Sequence, residues 1–352
     1  MFSKNKIYQK SLEVFSEDIN WDIYSNKKIL IVGATGLIGS YLIDLLMYVN
    51  KRQNKNIGIV AVARSEASVK ERFEEYLCNR NFRYIIADIN NGFKYQEKVD
   101  YLLHLASNTH PLAYAEKPIE TLMTNIHGTY NLLNYAKDFL NKRLLFLSSV
   151  EIYGQMENNI TGYKEADCGY IDCNSLRACY NEGKRAGEAL CQAFIKEYDL
   201  DIVIPRLCRI YGPTMKLDDS KALSQFLKKA IKKENIVLKS PGEQYFSYLY
   251  VGDAVTALLH LLEFGIAGEA YNVADQKSNM KLKDLAKIIA DHVGVDVIFE
   301  IAGKIEQAGY SKASNAILNT KKINRLSWKA KYSINDGIKE VMDIYEIGRA
   351  HV

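Results

Sequence analysis

Residues 27–49 read KKILIVGATGLIGSYLIDLLMYV, and they decide the fold. Ile29–Val32 is a short apolar run rich in β-branched residues, the pattern of a strand buried on both faces. A glycine turn, Gly33-Ala34-Thr35-Gly36-Leu37-Ile38-Gly39, ends it. Behind the turn, Tyr41, Leu42, Leu45, Leu46 and Val49 recur at helical spacing. The spacing G-x-x-G-x-x-G between strand and helix lets backbone N–H groups approach a pyrophosphate, and the helix N-terminus adds partial positive charge. Gly33, Thr35, Gly36, Leu37, Ile38 and Gly39 are therefore expected to cradle a dinucleotide.

The alternation continues along the chain. Strands are expected at 57–63, 83–89, 99–106, 143–149 and 201–207, and helices at 66–77, 118–139 and 180–198. Strands alternating with helices imply a Rossmann-type α/β fold with a doubly wound parallel sheet. After Tyr211-Gly212-Pro213 the rhythm loosens. Helices at 220–233, 252–264, 282–293 and 334–346, with short strands between, suggest a smaller C-terminal α/β substrate-binding domain. The expected division is 1–26 as an N-terminal extension and 27–205 as the dinucleotide-binding domain. Residues 206–346 are mainly substrate-binding, with some segments returning to the first domain. In the extension, Ile7, Leu12, Val14 and Phe15 predict a short helix lying on the body. The tail IGRAHV (347–352) carries no packing pattern.

The balance of 46 basic and 42 acidic residues is too even to call for nucleic acid. No apolar run reaches the length of about 20 residues that spans a bilayer. The N-terminus MFSKNKIYQK is polar and lacks a signal-peptide pattern. The six cysteines show no Cys-x-x-Cys pair, so no metal site is expected and a cytoplasmic chain with free thiols is.

The second strand ends in Val62-Ala63-Arg64-Ser65, without the acid that would hold the ribose of NAD. Arg64 can stack on adenine or pair with a 2′-phosphate, which leaves NAD and NADP both open. Asp88, beside Ile89 after the third strand, can accept a hydrogen bond from the adenine amine.

Tyr180-Asn181-Glu182-Gly183-Lys184 places a phenol and an ammonium on one helical face, at i and i+4. A free phenol has a pKa of ~10. A neighbouring ammonium, with the charge of an oxidised nicotinamide, lowers it. The phenolate can then take the proton of a sugar hydroxyl while hydride leaves. Ser149, at a strand's C-terminal end, can share a hydrogen bond with that hydroxyl.

Five passages carry a family resemblance: HLAS (104–107), TNIHGTYNLL (124–133), SSVEIYG (148–154), ACYNEGKRAGE (178–188) and YGPTMKLDDSKALSQFL (211–227). From Lys28 to Trp328 the chain resembles the extended short-chain dehydrogenases that act on nucleotide-sugars, the NAD-dependent epimerases and dehydratases. Within that group it is most similar to the UDP-glucuronate decarboxylases. The resemblance implies that Ser149, Tyr180 and Lys184 form the hydride-transfer triad. Glu151 matches the active-site Glu shared by decarboxylases and 4,6-dehydratases. Leu105, Ala106, Ser107 and Asn125 would line the bound cofactor, with Ser107 also touching substrate. A homodimer built from the helices near 118–139 and 180–198 is implied as well.

Oxidising C4 of such a sugar makes the C5 proton acidic and turns a C5 carboxylate into a β-keto acid. In the 4,6-dehydratases an Asp precedes the Glu and protonates the departing hydroxyl; here that position is Val150. Decarboxylation needs no such donor and is favoured. The alternatives are a 4,6-dehydratase or 4-epimerase, an NADPH-dependent keto-sugar reductase, or a non-catalytic nucleotide sensor. The chain also departs from the family. An expected Asn before Tyr-Gly-Pro is Arg209, the Arg expected within Gln244–Leu249 is missing, and a later Arg-x-Pro-Asp is absent from SKASNAILNT (311–320). Arg209 is suited to replace one lost arginine, because a guanidinium pairs well with substrate anions.

Overall fold

A computed structural model describes residues 5–109, 114, 116–156, 161–216, 219–300 and 315–350. Leu217, Asp218 and residues 311–314, quoted above, lie outside it, as do the side chains of the 347–352 tail.

The central sheet contains β1 (Lys28–Val32), β2 (Gly58–Ala63), β3 (Phe82–Ile86), β4 (Val99–His104), β5 (Leu140–Phe146), β6 (Ser148–Ser149) and β7 (Ile202–Leu207). After β8 (Arg209–Tyr211), β9 (Ile236–Leu238) and β10 (Tyr245–Tyr250), the chain returns to this sheet as β11 (Ala270–Val273). The order is β11-β7-β5-β4-β1-β2-β3, with β6 beside β7 and every pairing parallel. Successive side chains of β1 serve opposite faces. Ile29 and Ile31 enter one core, Leu30 and Val32 the other. Helices on both faces close those cores: α1 (Lys6–Ser16), α2 (Leu37–Gln53), α3 (Glu66–Phe73), α4 (Pro118–Met123), α5 (Thr129–Phe139) and α6 (Ala178–Tyr198). The expected doubly wound sheet is thus present. Its order reverses between β1 and β4, so a crevice opens at their C-terminal ends, where such folds bind ligands.

The later chain adds α7 (Ala222–Ile231), α8 (Val251–Phe264), α9 (Leu282–Val293), α10 (Lys321–Asn324) and α11 (Ile334–Ala350). A small sheet, β12 (Asn279–Lys281), β10 and β14 (Asn315–Ala316), takes β8 alongside β10; β9 pairs with β13 (Val297–Phe299). The register Tyr248↔Arg209 fixes β8 against β10.

Several boundaries differ from the sequence reading for local reasons. The strand expected to reach residue 89 stops at Ile86, because the Asp88 side chain accepts from Asn90 N (3.0 Å) and starts a 3-10 turn at Ile89–Asn91. The strand expected to reach 106 ends at His104. The 143–149 strand begins at Leu140 and breaks after Phe146. The long 118–139 helix holds a π turn at Thr124–Gly128 between α4 and α5. The N-terminal helix lies on the body with one face buried, and Tyr8, Leu12 and Phe15, at i, i+4 and i+7, form that face, whereas Ile7 and Val14 are only partly buried.

Candidate active site

The glycine turn forms because Gly33 adopts φ +89°, a conformation that other residues rarely take. A side-chain carbon there would also lie 2.8 Å from Ala106 N. Gly33 N and Ala34 N both donate to Val62 O, at 3.1 and 3.2 Å, and Leu105 N donates to Val32 O at 2.9 Å. The loops after β1 and β4, with Leu105, Ala106 and Ser107, are thereby held side by side. Gly36 precedes α2 with no side-chain cap. The first N–H groups of α2 are therefore left to a ligand. Thr35, Leu37 and Ile38 are only partly buried, and Gly39 packs against the turn. This cradle fits a pyrophosphate.

Arg64 is exposed at the tip of β2, but it is engaged. Its Nη1 donates to Glu120 Oε1 at 2.5 Å. Partial burial opposes charge on Glu120, yet hydrogen bonds from Arg64 and Asn108 outweigh it and hold the carboxyl below its usual range. Asp88 is likewise occupied by Asn90, and Ile89 is buried against Gly128.

The π turn presents Asn125, fully buried, whose Oδ1 accepts from Ser107 Oγ (3.0 Å) while its Nδ2 donates to Thr121 O (2.8 Å). Thr129 Oγ1 donates to Asn125 O at 2.6 Å and lies 3.0 Å from His104 Nε2. Burial holds His104 neutral, lowering it to about 3.

Ser149 lies beside Tyr180, near enough for its hydroxyl to favour the ionised phenol. Ser149 Oγ also accepts from Glu151 N at 3.2 Å, starting the turn that carries Glu151. Burial pushes the Tyr180 phenol up to about 12; the Ser149 hydroxyl works against this, and the nearby Glu151 carboxylate adds to it. In the protein alone, the groups that shift this phenol do not include the Lys184 ammonium. Lys184 Nζ is directed to Leu147 O at 2.7 Å, and burial lowers its own pKa to about 7. That burial outweighs the Glu188 charge, which favours the ammonium.

Glu151 lies between two cations: Arg177 Nη2 is 3.8 Å from one carboxylate oxygen and Arg209 Nη2 is 3.6 Å from the other. Asn181 Nδ2 donates to the Glu151 carbonyl at 2.9 Å. The Arg209 guanidinium lies 3.4 Å from the Phe246 ring centroid. Tyr114 stacks on Tyr180 at 5.2 Å between centroids, and the Arg177 guanidinium lies 5.8 Å from the Tyr114 ring centroid. Val150 is buried in the hydrophobic core.

Beneath the site, Ser148 Oγ donates to Glu188 Oε1 at 2.5 Å, and Arg206 binds both Glu188 oxygens at 2.9 and 2.6 Å. Ser149, Glu151, Tyr180, Lys184 and Arg209 are thus brought together, and Ser107 meets Asn125. The sequence reading missed Arg177, Tyr114, Asn181 and the Glu188–Arg206 pair. Arg177 had a signal, since it precedes Tyr180 by one helical turn; Tyr114 had none. Among the described residues no cluster of three or more His, Cys, Asp or Glu could hold a metal ion, and no helix is long and apolar enough to cross a membrane.

The model of the NAD dependent epimerase/dehydratase family matches residues 29–274. UDP-glucuronic acid decarboxylase 6 of Arabidopsis thaliana is 28% identical over 314 residues, covering 89% of this chain and 87% of the relative. UDP-glucuronic acid decarboxylase 1 of Xenopus tropicalis is 31% identical over 268 residues, covering 76% of this chain and 61% of that one. The crystal structure of UDP-glucuronic acid 4-epimerase from Bacillus cereus, in complex with UDP-glucuronic acid and NAD, is similar in fold. Its TM-score is 0.75 and its identity 22%, over 91% of this chain and 99% of that one. With the glycine cradle, the Tyr-x-x-x-Lys helix and a family match over residues 29–274, this chain belongs to the NAD dependent epimerase/dehydratase family.

Proposed function

We propose that this protein is a nucleotide-sugar decarboxylase that oxidises sugar C4 with a bound NAD, acting on UDP-glucuronate. The observation that carries the reading is the juxtaposition of the Ser149–Tyr180 pair with Glu151, next to a core-buried Val150. A 4,6-dehydratase would need a proton donor at position 150. The decarboxylase relatives, matched over most of the chain, support the same choice.

The cofactor would rest on Gly33, Gly36 and the start of α2, with Leu105–Ser107, Asn125 and Lys184 along it. Bound NAD would supply a hydride acceptor that later returns the hydride. Tyr180 takes the C4 hydroxyl proton, and Ser149 steers that hydroxyl. Once C4 is a ketone, the C5–C6 bond breaks, carbon dioxide leaves and its bonding electrons enter an enolate. Glu151 assists protonation at C5. Tyr180 returns its proton to the C4 oxygen. Lys184 helps hold the phenolate when the nicotinamide charge is also present.

NAD is favoured over NADP because Glu120 already occupies Arg64 and would repel a 2′-phosphate. The division at residues 26 and 205, a cytoplasmic location and a homodimer belong to the same proposal. Exposed Ile119, Met123 and Tyr130 on α4 and α5 give that dimer an apolar face.

The test is incubation of purified protein with UDP-glucuronate and NAD, followed by mass spectrometry. A product lighter by the mass of carbon dioxide supports the reading. A product of unchanged mass would mean epimerisation, and one lighter by water would mean dehydration.

A further inference from the structure

Glu151 sits between two guanidiniums, yet neither closes on it. The separations of 3.8 Å from Arg177 and 3.6 Å from Arg209 exceed direct hydrogen-bond lengths. The three side chains are each only about a quarter exposed, so solvent screens the charges of Glu151 and Arg209 weakly.

Arg209 is the more poised of the two. Its Nη1 is buried and has no hydrogen-bond partner among the described residues. A guanidinium can only donate, and a buried donor without an acceptor is costly. The group cannot readily swing away to relieve this. It lies on the Phe246 ring, and its backbone is fixed in the β8–β10 register opposite Tyr248. A rigid, under-satisfied guanidinium beside the proposed reacting carbons calls for an anion.

A nucleotide-sugar offers two anions, the diphosphate on C1 and, in a hexuronate, the carboxylate on C5. Glu151 separates them. In the proposed reaction it acts at C5, which bears the carboxylate, whereas the diphosphate hangs on C1 across the ring oxygen, and Arg209 reaches Glu151. We propose that Arg209, assisted by Arg177, is a specificity-determining residue that selects a sugar carboxylate, admitting hexuronates over neutral hexoses. A neutral hexose leaves Arg209 unpaired, and sites with an unpaired buried polar group discriminate strongly. This assignment rests on the proposed C4-oxidising reading.

The test titrates the NAD-loaded wild type, Arg209→Gln and Arg177→Gln with UDP-glucuronate, UDP-glucose and UDP by calorimetry. Carbon dioxide release is measured in parallel. Arg209→Gln is expected to weaken UDP-glucuronate by about 10- to 100-fold, the range of one charge-assisted hydrogen bond, with UDP-glucose and UDP changed less than about twofold. Arg177→Gln should show the same selectivity more weakly, and it carries the test if Arg209→Gln loses NAD binding. Equal weakening of all three ligands overturns the assignment and gives Arg209 to the diphosphate. Carbon dioxide release by the wild type with that unselective loss removes the inference and leaves the proposed function standing. Selective binding of UDP-glucuronate without carbon dioxide release does the reverse.

Discussion

At the scale of single residues, the site is a contest between burial and charge. Tyr180 is raised to about 12 by burial, so the protein alone stores it as a neutral phenol. Tyr180→Phe should keep NAD affinity and cut turnover by at least about 100-fold, the usual contribution of a positioned general base. Retained turnover would remove Tyr180 from the mechanism. Lys184 makes the opposite case. Its folded pKa of about 7 is depressed from 10.5 by burial. Below pH 7 both folded and unfolded chains hold its proton, and the folded state bears the cost of burying it. Between pH 7 and 10.5 the unfolded chain binds the extra proton, so this group makes stability rise with pH. Denaturant unfolding of the cofactor-free protein at pH 7 and pH 9 should therefore show wild type gaining on Lys184→Met as pH rises. A constant difference between the two would refute the buried ammonium. The Arg64–Glu120 pair gives a third prediction. Glu120→Gln should free Arg64 and raise NADP affinity by about tenfold, while NAD changes little.

At the scale of elements, the legible features were those with a period or a fixed spacing. The β1–turn–α2 unit was readable because a buried strand, three glycines and a helical stripe each have a chemical reason to stand where they do. Gly33→Ala should cost more than about 1 kcal/mol and abolish NAD binding, because φ +89° and the 2.8 Å approach to Ala106 N both exclude a side chain. Calorimetry with NAD checks the binding, and thermal unfolding checks the cost. Element ends were not legible. Asp88 ends its strand by capturing one backbone N–H, a local event that hydrophobic periodicity does not record. The π turn at Thr124–Gly128 was hidden for a related reason. A single widened turn leaves the apolar stripe of Leu132, Leu133 and Ala136 intact while turning Asn125 toward Ser107. The residues of the site that come from far apart in sequence were half visible. Arg209 stood out as a departure from the family pattern. That its guanidinium would lie on Phe246, a residue inside the stretch where an Arg was missing, depends on the β8–β10 pairing and could not be read from either segment.

At the scale of the whole molecule, the N-terminal helix has a larger part than a helix resting on the surface. Its buried face touches both halves of the chain. Tyr8 donates to Asp44 on α2 at 2.6 Å, and Arg72 from α3 joins the same carboxylate. Ser11 lies between Tyr41 of α2 (2.9 Å) and Tyr250 of β10 (3.2 Å). Phe15 stacks on Tyr250 at 5.5 Å and meets Tyr332 at a tilt at 4.8 Å, and residue 252 must be glycine because a side chain there would meet the Phe15 ring at 2.4 Å. Behind this aromatic cluster, Glu340 on α11 accepts from Tyr250 and Tyr332, and burial raises its pKa. So α1 ties α2, which begins at the glycine turn, to β10, which carries Phe246 beneath Arg209. Phe15→Ala should therefore remove a fully buried ring that no neighbour can replace, at about 3–5 kcal/mol in denaturant unfolding. The same substitution should weaken UDP-glucuronate more than NAD, because the turn side of the crevice keeps its own sheet contacts while the β10 side loses its tie. A stability loss below about 1 kcal/mol would deny α1 this tie between α2 and β10.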